Sequence, residues 1–166
     1  MTVELVRTSI TTHTPELIAL RRLLHAHPEL SGSEHQTTEM LVERLATEGL
    51  TPIMLSTGTG LVCDIALDAD AEVVTGPIVA LRADIDALAM DDRTTTAHRS
   101  RRPGVAHACG HDAHAAVVLG AALALLDARR ASPRDGVVRI IFEPSEEVVP
   151  GGAVDVPGDG RHRQGA

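Results

Sequence analysis

The sequence predicts a layered α/β domain whose mixed, mostly parallel sheet is flanked by helices. Three observations predict it. Apolar residues recur at helical spacing in three stretches, and short apolar runs of strand length stand between and after them. Glycine, proline and polar clusters punctuate nearly every junction. Alternation of helix and apolar strand is the pattern of a sheet covered by helices. With 166 residues the chain is long enough for one domain with its own core. Hydrophobic content of 43% is ordinary, but aromatic content of 1% means that Ala, Val, Leu and Ile must build that core around the single Phe142. No internal repeat is visible.

The first helix is expected to open at Thr14-Pro15, with Thr14 as N-cap and Pro15 in the first helical position. Leu17, Leu20 and Leu24 share one face, and Pro28 ends the element. Ser33-Glu34-His35-Gln36 has the form of a capping box for a second helix, whose inner stripe is Met40, Leu41 and Leu45 and whose stop is Gly49. His25, His27 and His35 carry no chemistry on spacing alone. Residues 53–55 and 61–67 read as strands joined by the hairpin turn Thr57-Gly58-Thr59-Gly60. Residues 78–81 are continuously apolar, as in a strand buried on both faces. A polar loop covers 91–102. The helix expected over about 112–130 is apolar on nearly all sides, and Arg129 and Arg130 suit the negative end of its dipole. Ser132-Pro133-Arg134-Asp135-Gly136 then turns the chain into a last buried strand over 137–142.

Charge and cysteine content exclude several classes. Against 23 acids, the 15 basic residues, all arginine, leave a net charge of −8, which disfavours nucleic acid as a partner. Cys63 and Cys109 make no disulfide framework. The start of the chain lacks the apolar run of a signal peptide, and the longest apolar stretch, 115–126, is too short to span a bilayer. The expectation is a cytoplasmic protein with no membrane partner.

Three polar segments stand at the ends of core elements. Asp84 and Asp86 follow the third strand, where open α/β sheets build sites, although a polar loop leaving the core would look the same. His107-Ala108-Cys109-Gly110-His111-Asp112-Ala113-His114 precedes the long helix. In an extended loop Cys109 and His111 would point the same way and could meet one metal ion, with the positive helix end favouring the thiolate. A Cys-x-His pair also occurs by chance, and a Cys is often only a small hydrophobe. Glu146 and Glu147 follow the last strand. Adjacent glutamates can divide the work of a hydrolytic metal site, one binding the ion and the other holding the water. Alone they would read as an exposed acidic pair.

Four stretches, in order, resemble the aminoacylase/carboxypeptidase-type metallopeptidases, in the amidohydrolase branch that holds hippurate hydrolases, N-acyl-amino-acid amidohydrolases and auxin-conjugate hydrolases. They are Arg21-Arg22-Leu23-Leu24-His25-Ala26-His27-Pro28-Glu29-Leu30-Ser31, Leu81-Arg82-Ala83-Asp84-Ile85-Asp86-Ala87-Leu88, the His107 to His114 segment, and Ile141-Phe142-Glu143-Pro144-Ser145-Glu146-Glu147. The resemblance implies that Cys109, His111 and Glu147 are metal ligands, Glu146 the general base and Asp86 a supporting carboxylate behind the ligands. It also implies hydrolysis of the amide bond of small-molecule N-acyl amino acids by a metal-activated water. Two divalent ions are implied, zinc or manganese, with cobalt or nickel as alternatives.

The resemblance also marks departures. Ala89 stands for a usual proline and Glu143 for a usual glutamine. Family members are longer, with a lid domain that mediates dimerisation and two further metal-binding histidines. Residues 1–153 are therefore expected to be the N-terminal part of a catalytic domain, with the lid and its homodimer contacts absent. Residues 154–166, including His162, would be an atypical tail, disordered or read from a shifted frame. Such a chain is expected to be poorly stable and inactive alone. The alternatives are a non-catalytic remnant needing a partner chain, or a metal-binding module using His107, Cys109, His111 and His114.

Overall fold

The structure, a computed structural model, describes residues 3–70 and 76–156. The element order is α1 (Val3–Ala26), α2 (His35–Ala46), β1 (Ile53–Met54), β2 (Leu61–Ala66), β3 (Ile78–Asp84), α3 (His111–Ala131), β4 (Val137–Glu143) and a short 3-10 turn, Gly152–Asp155. The four strands form one sheet in the order β1-β2-β4-β3. Leu24, Leu41, Leu45, Leu119, Leu123 and Phe142 lie in one buried cluster with the inner residues of β2 and β4. The aliphatic core expected from the composition is thus present, with Phe142 fully buried in it.

The sheet is mixed as expected but not mostly parallel. β1–β2 and β2–β4 pair antiparallel, and only β3–β4 is parallel. A parallel pair needs a long crossover, and among the described residues α3 is the one helix that lies between two strands; the β1–β2 connection is a hairpin turn. β3 is also not buried on both faces. Among the described residues it is an edge strand, with Ile78, Val79 and Ala80 exposed. An apolar run reports what a strand can bury and not whether a neighbour is there.

Two helix starts differ from expectation. α1 begins well before Thr14, with Pro15 inside it. Proline lacks the N–H that would bond the carbonyl of Thr11, while the hydroxyls of Thr11, Thr12 and Thr14 donate back to the carbonyls of Arg7, Thr8 and Ile10. Ser33 does not cap α2. The cap position is held by Glu34, whose own side chain makes no cap bond, and the free amides of Gln36 and Thr37 donate to the Glu29 carboxylate at 3.3 and 2.8 Å. The α2 stop is as expected: Gly49 adopts φ +78 and its N–H donates to the Ala46 carbonyl.

α3 is the one described helix long and apolar enough to cross a membrane, and 67% of its most apolar window is buried inside the fold, so it reads as the core helix. It packs against α1 on one side and against the sheet on the other. Cys63 lies in the core on β2, where burial pushes its thiol up to about 11, and both cysteines are free. Residues 157–166, with His162 and most of the expected tail, lie outside the described residues.

Candidate metal centre

Three chain segments meet at the carboxyl ends of the parallel strands β3 and β4. From β3 the chain runs on extended: the Ile85 N–H donates to the Glu143 carbonyl, and the Ala87 N–H to the Glu29 carbonyl. Asp86 is thereby fixed on the inner side and is almost fully buried. From β4 the chain turns at Pro144 and Ser145 and presents Glu146 and Glu147. Between them, Gly110 at φ +93 starts α3, so that His111 is the first helical residue. Cys109 and His111 are therefore brought together by a left-handed turn, not by the alternation of an extended loop.

Asp86 organises these segments. The Nδ1 of His111 lies 3.0 Å from the Asp86 carbonyl and 3.1 Å from its Oδ1. Both partners are acceptors, so Nδ1 is the nitrogen that donates to them and Nε2 is the one left to meet an ion. That nitrogen faces Glu146 Oε2 and Glu147 Oε1, each at 3.8 Å, and Asp84 Oδ2 at 4.0 Å. The other Asp86 oxygen accepts from the Ser31 hydroxyl at 2.7 Å and from the Glu147 N–H at 2.9 Å. One carboxylate thus aims an imidazole, a glutamate backbone and the α1–α2 connection together.

The start of α3 is held from behind as well. Asp112, fully buried, accepts from Arg21 Nε at 2.9 Å and pairs with His25 Nδ1 at 2.7 Å. His25 Nε2 in turn lies 3.5 Å from Asp92 Oδ2. Backbone N–H groups of Ser100 and Thr94 donate to Asp92 and draw its pKa down to about 2.

The donor atoms of Cys109, His111 and Glu147 all lie within 4.8 Å of one another. Cys109 is exposed, and Glu147 Oε1 is buried without a hydrogen-bond partner. The Glu147 carboxylate beside the sulfur raises the Cys109 thiol above its usual value, with burial and the charges of Glu146 and Asp84 adding to it. The helix end expected to favour the thiolate is thus opposed by carboxylates that favour the thiol. A thiol, an imidazole lone pair and an orphaned carboxylate oxygen, crowded by further negative charge, form a donor set that fits a divalent cation.

Asp84, His111 and His114 form a second such group. It shares His111, and a single Nε2 serves one ion at a time. Asp84 was visible in the sequence through its spacing from Asp86. The His107–Cys109–His111–His114 module is not assembled: His107 is buried with both ring nitrogens unpartnered and belongs to neither group. Ser31, Glu34 and Glu29 were not singled out in the sequence as parts of the site. They fall in the connection between two helices, inside or just after the first matching stretch, and Glu34 reads there as part of a capping box.

Residues 80–164 match peptidase family M20/M25/M40. An N-acyl-L-amino acid amidohydrolase of Geobacillus stearothermophilus is 36% identical over 156 residues, covering 94% of this chain and 40% of its own length. A Rhodococcus jostii protein provisionally named as a glutamate–cysteine ligase is 46% identical over 140 residues, covering 84% of this chain but 16% of its own. The crystal structure of the Bacillus subtilis YXEP protein, a dinuclear metal-binding peptidase of the M20 family, superposes with a TM-score of 0.74 at 37% identity, covering 85% of this chain and 38% of that one. The chain therefore spans less than half the length of each of these proteins. Its sequence match, its fold and its relatives agree that the chain belongs to peptidase family M20/M25/M40.

Proposed function

We propose that this chain forms part of the catalytic domain of a metal-dependent amidohydrolase, with Cys109, His111 and Glu147 as ligands of a divalent ion. The observation that carries the reading is the convergence of those three donors, one of them a buried carboxylate oxygen with no other partner. The Geobacillus stearothermophilus amidohydrolase supports N-acyl amino acids as the substrate class. The dinuclear Bacillus subtilis peptidase supports two ions, for which zinc, manganese, cobalt and nickel are all compatible with these donors.

When bound, a divalent ion supplies Lewis acidity to a water and to a substrate carbonyl. The protein's own residues do the rest. Glu146, half exposed beside His111 Nε2, takes a proton from the attacking water and returns it to the leaving amine. Asp86 holds His111 in the tautomer whose Nε2 can donate a lone pair, and it anchors the backbone of Glu147. Arg82, paired with Asp84 at 2.7 Å and Glu143 at 3.1 Å, limits the negative charge at the rim.

The test is metal binding and hydrolysis measured on the same preparations. Bound zinc or manganese should be lost in Cys109→Ala and kept in Glu146→Ala. Any hydrolysis of N-acetyl amino acids that the wild-type chain carries out should be lost in both. Unchanged turnover in Glu146→Ala would sink the base assignment, and wild-type metal content in Cys109→Ala would sink the ligand assignment. A second reading, a chain that works only against another segment or subunit, is favoured by the exposed apolar residues of β3. Size-exclusion with light scattering, with and without metal, separates it from the first.

A further inference from the structure

We infer that Glu34 is a positioning residue for the ligand glutamate: it holds the backbone amide of Ser145 and through that turn aims Glu147. The inference rests on the reading of Glu147 as a metal ligand. Glu34 occupies the cap position of α2, yet its side chain does not cap the helix, because Glu29 already takes the free amides there. The side chain instead crosses to the far end of β4. It is fully buried, and its Oε1 accepts the Ser145 N–H at 2.8 Å.

Ser145 is the one non-glycine residue with positive φ among the described residues, at +57. A serine rests there only if its surroundings hold it. Both of its backbone groups are held: the N–H by Glu34, and the carbonyl by the Gly152 N–H at 3.2 Å. Pro144, just before, is pressed against Gly60 and Gly152, at both of which a Cβ would overlap it. Two residues further on, the Glu147 N–H is held by Asp86, which the Ser31 hydroxyl secures in turn. The α1–α2 connection therefore grips the acidic loop at two points three residues apart in its own sequence, Ser31 through Asp86 and Glu34 directly. Without Glu34 the Ser145 amide loses its acceptor, and Ser145 loses the contact that keeps it left-handed. The turn then relaxes and Glu147 swings out of reach of Cys109 and His111.

Cobalt(II) titration of the metal-free chain tests this, because absorption reports the thiolate and the ligand field separately. Glu34→Ala should bind cobalt about tenfold more weakly. Its thiolate-to-cobalt band should persist, since Cys109 comes from another loop, while its ligand-field bands shift as they do in Glu147→Ala. Glu34→Gln keeps an acceptor for the Ser145 N–H and should restore the wild-type spectrum and affinity. Glu34→Asp, too short to reach, should behave as the alanine variant and serves in its place if that variant does not fold. Wild-type affinity and spectrum in the alanine or aspartate variant, beside a loss in Glu147→Ala, overturn this inference alone, as does a glutamine variant as weak as alanine. No effect of Glu147→Ala overturns the ligand reading and the inference with it.

Discussion

The polar pole, where β3, β4 and α3 converge, and the flank formed by β3 and the outer side of α1 and α3 are built on opposite principles. At the pole, buried polar groups are cross-tied. Asp86 serves three partners, Asp112 is paired with Arg21 and His25, and Glu34 reaches 111 residues along the chain. Of the atoms left without a hydrogen bond there, among them Glu34 Oε2 and both His107 ring nitrogens, Glu147 Oε1 is the one that faces the ligand cluster. On the flank, apolar groups are simply open. Val79 is 56% exposed and Val117 70%, and a groove of about 650 Å³ runs between α1 and α3, lined by Ile10, Leu17, Ile18 and Val117. A polar network must be complete to be stable, because an unmatched buried group costs more than a matched one contributes. An apolar face is tolerated uncovered. Substitutions at the pole should therefore be costly and act together, while those on the flank should be nearly silent.

The largest effect is expected at Asp86. Asp86→Ala removes the acceptor of the Ser31 hydroxyl and of the Glu147 N–H at once, and leaves His111 Nδ1 with the backbone carbonyl of residue 86 alone. Leaving these groups unmatched should cost about 3 kcal/mol of stability and about tenfold or more in metal affinity. Urea unfolding of the metal-free protein and cobalt titration measure the two separately. A loss under about 1 kcal/mol would mean that the pole is not cross-tied as described.

Next comes Gly60→Ala. Gly60 adopts φ +75, and a Cβ there would sit 2.8 Å from the Phe142 carbonyl oxygen and overlap the Pro144 ring. Backbone strain and overpacking together should cost about 2 kcal/mol. Because the displaced ring adjoins Ser145, cobalt affinity should fall too. Loss of stability with wild-type affinity would separate the hairpin from the site.

Asp92 tests how far the network extends. Its carboxylate is held well below the ordinary value by the Ser100 and Thr94 amides, so the folded state favours its charged form. That contribution is complete above the unfolded aspartate value, near 4, and is lost as pH falls towards about 2. Asp92→Asn should cost about 1 kcal/mol at neutral pH, and the gap from wild type should close across that acid window. A gap that does not change with pH would show that the carboxylate's charge is not what the loop holds.

The sequence made much of this legible, and where it failed the reason is consistent. Local signals held: Gly49 stopped α2, Thr57-Gly58-Thr59-Gly60 made the hairpin, and α3 ran within a residue of its expected bounds. Cys109, His111 and Glu147 did converge, since each lies beside the end of a regular element, α3 or β4, that the sequence pattern located. What failed depended on distant partners. Ser33 reads as a cap until Glu29 is seen to do that work, and Glu34 reads as helix chemistry until Ser145 is seen beside it. Residues 78–81 read as buried because apolar content cannot tell an edge strand from a central one.

That last failure sets the smallest prediction, which is also the sharpest for the flank. Val79→Thr replaces a methyl with a hydroxyl of nearly the same shape on a strand residue that is 56% exposed, and threonine keeps the β-branched form that suits a strand. If the edge is open in solution, the hydroxyl meets water and stability should stay within about 0.5 kcal/mol of wild type. If a second copy of the chain or another segment lies over β3, the hydroxyl is buried without a partner and the cost should rise to about 1–3 kcal/mol. Urea unfolding at two protein concentrations distinguishes the cases. A penalty that grows with concentration means that copies cover the edge, and one that does not means that the chain covers it itself. A silent Val79→Thr beside a disabling Asp86→Ala would establish that the parallel pair β3–β4 is organised from its polar end and not from its edge.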